Sequence, residues 1–202
     1  MATPTRTRTR LAREERREQI VDAAAVVFQG RDPAEVTFEE IAEAAGVSRA
    51  LVYNYFGDRH GLLEAVYLRN VRLLDAQVTE ALATTPGIEE ALAAAVRVHV
   101  RFAGQDPWGY RYAAGEVGFA RLPKLVARRV ERAAAALGGG QEAGLVMAGV
   151  VRAVQAMVIQ WLDHREVPEE RVVELITAYL ARGLAGVVAS GLPRTPTWPV
   201  PV

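Results

Sequence analysis

At 202 residues, 50% hydrophobic and 24% charged, the chain is long enough to bury one sizeable core, or a small domain joined to a larger one. It contains no cysteine, which excludes disulfides, thiolate catalysis, iron–sulfur clusters and zinc sites built on Cys. Lys+Arg and Asp+Glu balance at 24 each, so any nucleic-acid role must rest on where the charges sit and not on their sum.

The balance holds locally too, with 11 basic against 12 acidic residues in 1–75. Arg6, Arg8, Arg10 and Arg13 all precede the first acid, Glu14, and residues 1–12 read as a disordered, arginine-containing arm. No apolar stretch follows these arginines, so a secretory signal is not expected. The longest apolar run, Leu145–Val151, is closed by Arg152 and is far too short to cross a bilayer. A cytoplasmic protein without a membrane partner is the expectation.

The chain then reads as helix after helix, without a strand pattern. Ile20, Ala24, Val27 and Phe28 recur at helical spacing within 13–29, and Asp32-Pro33 breaks that helix. Phe38, Ile41, Ala42 and Ala45 describe one face of a short second helix. Thr37 and Glu40 have the spacing of a capping box at its start. Gly46 is placed to close it in the left-handed conformation, with Val47 as the following apolar contact. Ser48 is a ready N-cap for a third helix through Phe56, and Asp58 for a fourth carrying Leu62, Leu63, Val66 and Leu73. After Pro86-Gly87, longer helices are expected at about 87–105, 107–116, 122–137, 141–165 and 168–189, three of them opened by Pro107, Pro123 and Pro168. The architecture is all-α: a helix-turn-helix domain over 13–75, a larger helical domain over 76–190 and a Pro-rich tail over 191–202.

Two short helices joined by a glycine-containing turn describe a helix-turn-helix, whose second helix must be apolar inside and polar or small outside. Val47, Val52 and Phe56 supply the inner side, while Arg49, Ala50, Tyr53 and Asn54 lie largely on the other. The run FEEIAEAAGVSRALVYNYFGDRHGLL, from Phe38 to Leu63, resembles the DNA-binding signature of the tetracycline-repressor (TetR) family. With the leading helix that ends at Phe28, the resemblance covers about residues 13–75. It implies a homodimer on a near-palindromic double-stranded DNA operator, with a variable C-terminal domain whose small-molecule ligand releases the DNA, and no cofactor or metal.

Carried over by position, Thr37, Tyr53 and Arg59 are the expected phosphate contacts, which fix register without reading sequence. Arg59 stands where the family usually has lysine, and its guanidinium still suits a phosphate. Arg49, Ala50, Leu51, Asn54 and Tyr55, with Ser48 at the helix start, are the candidates for facing base edges. Chemically, Arg49 suits guanine and Asn54 adenine. Leu51 departs from the small or polar residue usual there, and either packs on a thymine methyl or is plain surface.

The second domain offers Phe102, Trp108, Tyr110, Tyr112 and Phe119, with Met157 later, as the lining of an apolar or aromatic effector's pocket, or else as plain core. His99 falls on the apolar side of its helix and reads first as a buried, hydrogen-bonded histidine, second as a ligand contact. Arg111 and Gln155 are candidates for a polar group on the ligand. Two late stripes carry the expected dimer interface: Leu145, Ala148, Val151, Val154, Val158 and Trp161 on one helix, and Val172, Ile176, Tyr179, Leu180 and Val187 on the next, with Gly183 and Gly186 permitting close approach. Their alternative is each chain's own core. Ligand bound among the middle helices is expected to shift the helix at 107–116 against that at 59–75.

A helical enzyme is the rival class, but His60, His99 and His164 lack metal-ligand spacing, and Gly138–Gly140 leads to Gln141-Glu142 without the lysine of a phosphate loop. A protein-interaction module without DNA binding is the other alternative.

Overall fold

The computed structural model describes residues 5–114, 123–135 and 138–191. Among them the chain is helical, with no strand: α1 (Thr5–Phe28), α2 (Phe38–Ala44), α3 (Arg49–Phe56), α4 (Arg59–Thr84), α5 (Ile88–Gln105), α6 (Pro107–Ala114), α7 (Pro123–Ala135), α8 (Gly140–Asp163) and α9 (Glu169–Ala189). The expected elements are all present, with one clear shift. α1 begins at Thr5 and not near Arg13, so the stretch from Thr5 to Ala12 is helical where a disordered arm was expected. Arg, Thr and Leu at these positions contain no helix breaker, and a helix already nucleated behind them extends residue by residue.

Contacts divide the chain into two compact units, Met1–Asn70 and Val71–Val202, and the division falls inside α4, a few residues before the boundary expected at 75. The first unit is built on Ile20, Val21, Ala24 and Phe28 of α1, Phe38, Ile41 and Ala42 of α2, Val52 of α3, and Leu62, Ala65 and Val66 of α4. Each large aliphatic side chain buried here contributes about 1.5–3 kcal/mol. Val47, Tyr55 and Phe56 pack half-buried against this core.

In the second unit, α5 packs against α8 and α9 and carries α6 beside it. The core joins Val96, Val100 and Ala103 of α5 and Tyr110 of α6 to Val154, Val158 and Trp161 of α8 and Val173, Ile176 and Leu180 of α9. A satellite cluster of Ala134, Ala143 and Leu184 ties α7 to α8 and α9. Arg132 of α7 also donates to Asp75 Oδ2 at 2.8 Å and to Thr79 Oγ1 at 3.0 Å.

α8 and α9 are long and apolar enough to cross a membrane by length and composition alone, each with a window of mean hydropathy 1.6. The 24 residues of α8 far exceed the apolar run visible in the sequence, because Arg152 interrupts the run without ending the helix. Both helices set one apolar side into the core of their own unit.

Candidate nucleic-acid interface

Local chemistry fixes α2 at both ends. Thr37 Oγ1 accepts from the Glu40 N–H at 3.2 Å, and the Glu40 carboxylate accepts from the Thr37 N–H at 2.7 Å and its hydroxyl at 2.8 Å, completing the capping box read from the sequence. Arg31 Nη1 adds a 2.9 Å ion pair to the same carboxylate. The hydrogen bonds from Thr37, backbone first, and the bond from Arg31 lower the Glu40 pKa from 4.5 to about 2.

At the other end Gly46 takes φ +63°, its N–H bonds to the Glu43 carbonyl at 3.0 Å, and the Val47 N–H reaches back to the Ala42 carbonyl at 2.9 Å. This is a complete Schellman stop, which turns the chain sharply into Ser48. Gln19 Nε2 of α1 holds the turn from behind by donating to the Ala45 carbonyl at 2.8 Å. Ser48 then caps α3, its hydroxyl accepting from the Leu51 N–H at 3.2 Å.

α3 is anchored by Val52, which is fully buried. Ala50 and Asn54 are both exposed, four positions apart and opposite Val52 on the helix, so they form its outermost line. Tyr53, 42% exposed, lies to one side with its ring 4.5 Å from that of Phe38. Arg49 stands in the first turn with its guanidinium 5.4 Å from the Tyr53 ring centre; Nη2 donates to the Tyr53 hydroxyl at 3.3 Å, and Nη1 donates to the Glu39 carboxylate. The bond to Tyr53 and the charge of Glu39 raise the Arg49 pKa further.

Two expected contacts sit differently. Tyr55 is half-buried against the first unit's core with Arg13 over its ring at 5.9 Å, because three positions from Val52 returns it toward the inner side. It is therefore a poor candidate for a base edge. Leu51 is half-buried on the flank of α3. Thr37 and Ser48 are exposed, and the half-buried Arg59 donates through Nη1 to the Ala34 carbonyl at 2.8 Å. The sequence places Phe38 in the core but not behind Tyr53, and gives no sign of Glu39 or Gln19, whose partners Arg49 and Ala45 are ten or more positions away and leave no local signature.

A small-residue and polar line on a braced, capped helix can enter a groove. A family profile described as bacterial regulatory proteins, tetR family, matches residues 20–66. The HTH-type transcriptional activator FasR of Mycolicibacterium smegmatis is 40% identical over 102 residues, 50% of this chain and 47% of that protein. Residues 20–66 thus carry the signature of the tetR family of bacterial regulatory proteins. The chain spans about half the length of the first curated relatives it matches. A longer match, 27% identical over 85% of this chain and 92% of the other, is to the HTH-type transcriptional regulator BetI of Brucella suis. The crystal structure of a tetR-family transcriptional regulator from Streptomyces coelicolor shares the fold, with TM-score 0.74 at 24% identity, covering 88% of this chain and 83% of that one.

In the second unit the candidate ligand residues separate into groups. His99 and Tyr110 are buried and joined, Nδ1 to the hydroxyl oxygen at 2.9 Å with the rings edge to face, the buried and hydrogen-bonded reading of His99. Phe102 and Met157 pack half-buried against the core. Tyr112 is half-buried, Trp108 is 44% exposed, and Arg111 pairs with Asp163 at 2.8 Å. Gln155 is 4% exposed, and its Oε1 has no hydrogen-bond partner among the described residues. Phe119 and the tail beyond Gly191 lie outside the described residues.

The dimer stripes need correction. Val154, Val158 and Trp161 of α8 and Val172, Ile176 and Leu180 of α9 are buried within their own unit, so they cannot offer a free surface. Ala148, Val151 and Val187 are half-buried; of the expected stripes Leu145, Tyr179, 65% exposed, Gly183 and Gly186 remain outside. A helix between two layers needs two apolar sides, and periodicity alone marks only that such sides exist. The outer sides are Leu145, Gly149, Arg152 and Ala156 on α8 and Leu175, Tyr179, Gly183 and Gly186 on α9, all exposed.

Proposed function

We propose that this chain is a sequence-reading DNA-binding transcriptional regulator, acting as a homodimer in the cytoplasm and released from its operator by a small molecule. The observation that carries the reading is α3 itself. A Schellman stop and a serine cap aim it, a buried valine anchors it, and Ala50 and Asn54 stand outward beside Arg49 and Tyr53. Thr37, Tyr53 and Arg59 are assigned to phosphates, and Ser48, Arg49, Ala50, Leu51 and Asn54 to the groove, with Tyr55 left to the core.

The exposed outer sides of α8 and α9 support a self-complementary interface, since Leu145, Leu175 and Tyr179 are large apolar groups in water and Gly149, Gly183 and Gly186 allow close approach. Two recognition helices then meet a near-palindromic operator with half-sites about 34–36 Å apart, one helical turn, or a multiple of it. The Gln155 acceptor, without a partner among the described residues and buried beside an apolar core, supports an effector with an apolar or aromatic body and one N–H or O–H donor. Only an effector that distinguishes two arrangements of the protein shifts operator affinity, typically by about 5- to 150-fold.

The experiment is selection of bound duplexes from a random pool at stated salt. An enriched palindrome, with a log–log salt slope near about −5 for six phosphate contacts, is the expected result. No enriched sequence and weak binding even at low salt would move the chain to a protein-interaction role.

A further inference from the structure

Arg49 is the one cationic side chain on α3, and it has a partner on each side. Its guanidinium pairs through Nη1 with Glu39, ten positions earlier on α2, and through Nη2 with the hydroxyl of Tyr53, whose ring centre lies 5.4 Å away and is backed by Phe38. Glu39 has no part in capping α2, since its neighbour Glu40 supplies the capping carboxylate. We propose that Glu39 is a specificity-determining positioning residue that holds the Arg49 guanidinium in the orientation needed to read one guanine. The proposal rests on the DNA-reading function above.

A guanidinium has five N–H donors in a fixed plane, and Glu39 and Tyr53 engage one on each terminal nitrogen. With Glu39 and Tyr53 on the outer N–H of each terminal nitrogen, the inner, parallel pair is the one that meets O6 and N7 of guanine, the geometry that distinguishes guanine in the major groove. A long arginine side chain without a buttress must be ordered at the moment of binding, and it can equally reach a phosphate, which carries no sequence information. The Glu39 carboxylate also repels the phosphate backbone, so it weakens binding wherever no guanine is in register. Both side chains are more than half exposed, 58% for Glu39 and 55% for Arg49. The pair therefore contributes little to folding and its loss leaves the domain intact.

The test compares the full chain with Glu39→Gln, Arg49→Ala and the double variant on the selected operator, on operators with the Arg49-proximal guanine replaced, and on random duplex. Glu39→Gln is expected to lower the ratio of operator to random-duplex affinity by about threefold to tenfold, with preference relaxed at that one guanine. In the Arg49→Ala background Glu39→Gln then changes base preference no further, because positioning requires the positioned group. Glu43→Gln, which removes another exposed acid from α2, raises random-duplex affinity through charge alone and leaves base preference intact. Unchanged preference in Glu39→Gln, or equal relaxation with and without Arg49, overturns the proposal while wild type still selects its operator. A wild type that enriches no sequence overturns the DNA-reading function itself.

Discussion

The Tyr110 hydroxyl lies 2.9 Å from Nδ1 of His99, and both side chains are shut inside the second unit, at 0% and 5% exposure. A polar pair in this position is secured by mutual hydrogen bonding, because neither group reaches bulk water. Tyr110→Phe keeps the ring and removes the hydroxyl, and it is expected to destabilise the unit by about 1–3 kcal/mol. The urea midpoint should fall with the slope unchanged; an unaltered midpoint would remove this pair from the account of the core.

The capping box gives a pH signature. Glu40 is held at about 2 in the folded chain against an ordinary 4.5, so its contribution is fully present above 4.5 and is lost as pH falls through about 2. Glu40→Gln cannot titrate. The stability difference between wild type and Glu40→Gln should be flat at neutral pH and close progressively from pH 4.5 down to 2. Denaturant midpoints across that range measure it, and a difference independent of pH would contradict the assignment.

Gly46 carries a cost of a different kind. An added Cβ there would meet no atom within 4 Å, so the only penalty of Gly46→Ala is the left-handed backbone at φ +63°. That conformation costs a non-glycine residue about 1–2 kcal/mol. A thermal shift is the simplest check, and a neutral substitution would mean that the turn after α2 relaxes.

Asn54 and Tyr53 should separate base reading from anchoring. Asn54→Ala is expected to lose about 1–3 kcal/mol of discrimination at one base position, as for a bidentate pair with adenine. Tyr53→Phe should weaken all duplexes through the phosphate its hydroxyl serves, with preference relaxed only at the Arg49-proximal guanine, where Arg49 Nη2 loses its partner. Repeating the duplex selection with each variant distinguishes them, and exchanged behaviours would reverse the two roles.

Tyr179 tests the dimer. It is 65% exposed on α9 between Leu175 and Gly183, and Tyr179→Glu puts a charge where a second copy is proposed to pack. Buried in an interface without a partner, that charge opposes association strongly. Sedimentation should show a shift from dimer to monomer at micromolar concentration, and operator affinity should fall with it. By contrast Val158→Ala, a core change, should lower stability and leave assembly to follow folding.

Sequence alone determined what depends on neighbours within a few positions. Thr37 with Glu40, Gly46 with Val47, Ser48 at the start of α3 and the prolines at helix starts act through contacts three to five residues long. The helices and the helix-turn-helix were legible for that reason. Tertiary structure decided which side of each helix meets which partner. α8 and α9 are apolar on more than one side, so Val154, Val158 and Ile176 went to the core while Leu145 and Tyr179 stayed outside, a choice that hydrophobic periodicity cannot make. Tyr55 turned inward and Glu39 met Arg49 because packing α1, α2 and α3 on one buried set fixes the rotation of α3 about its own axis. That rotation is set by contacts distant in sequence, and only the folded chain brings them together.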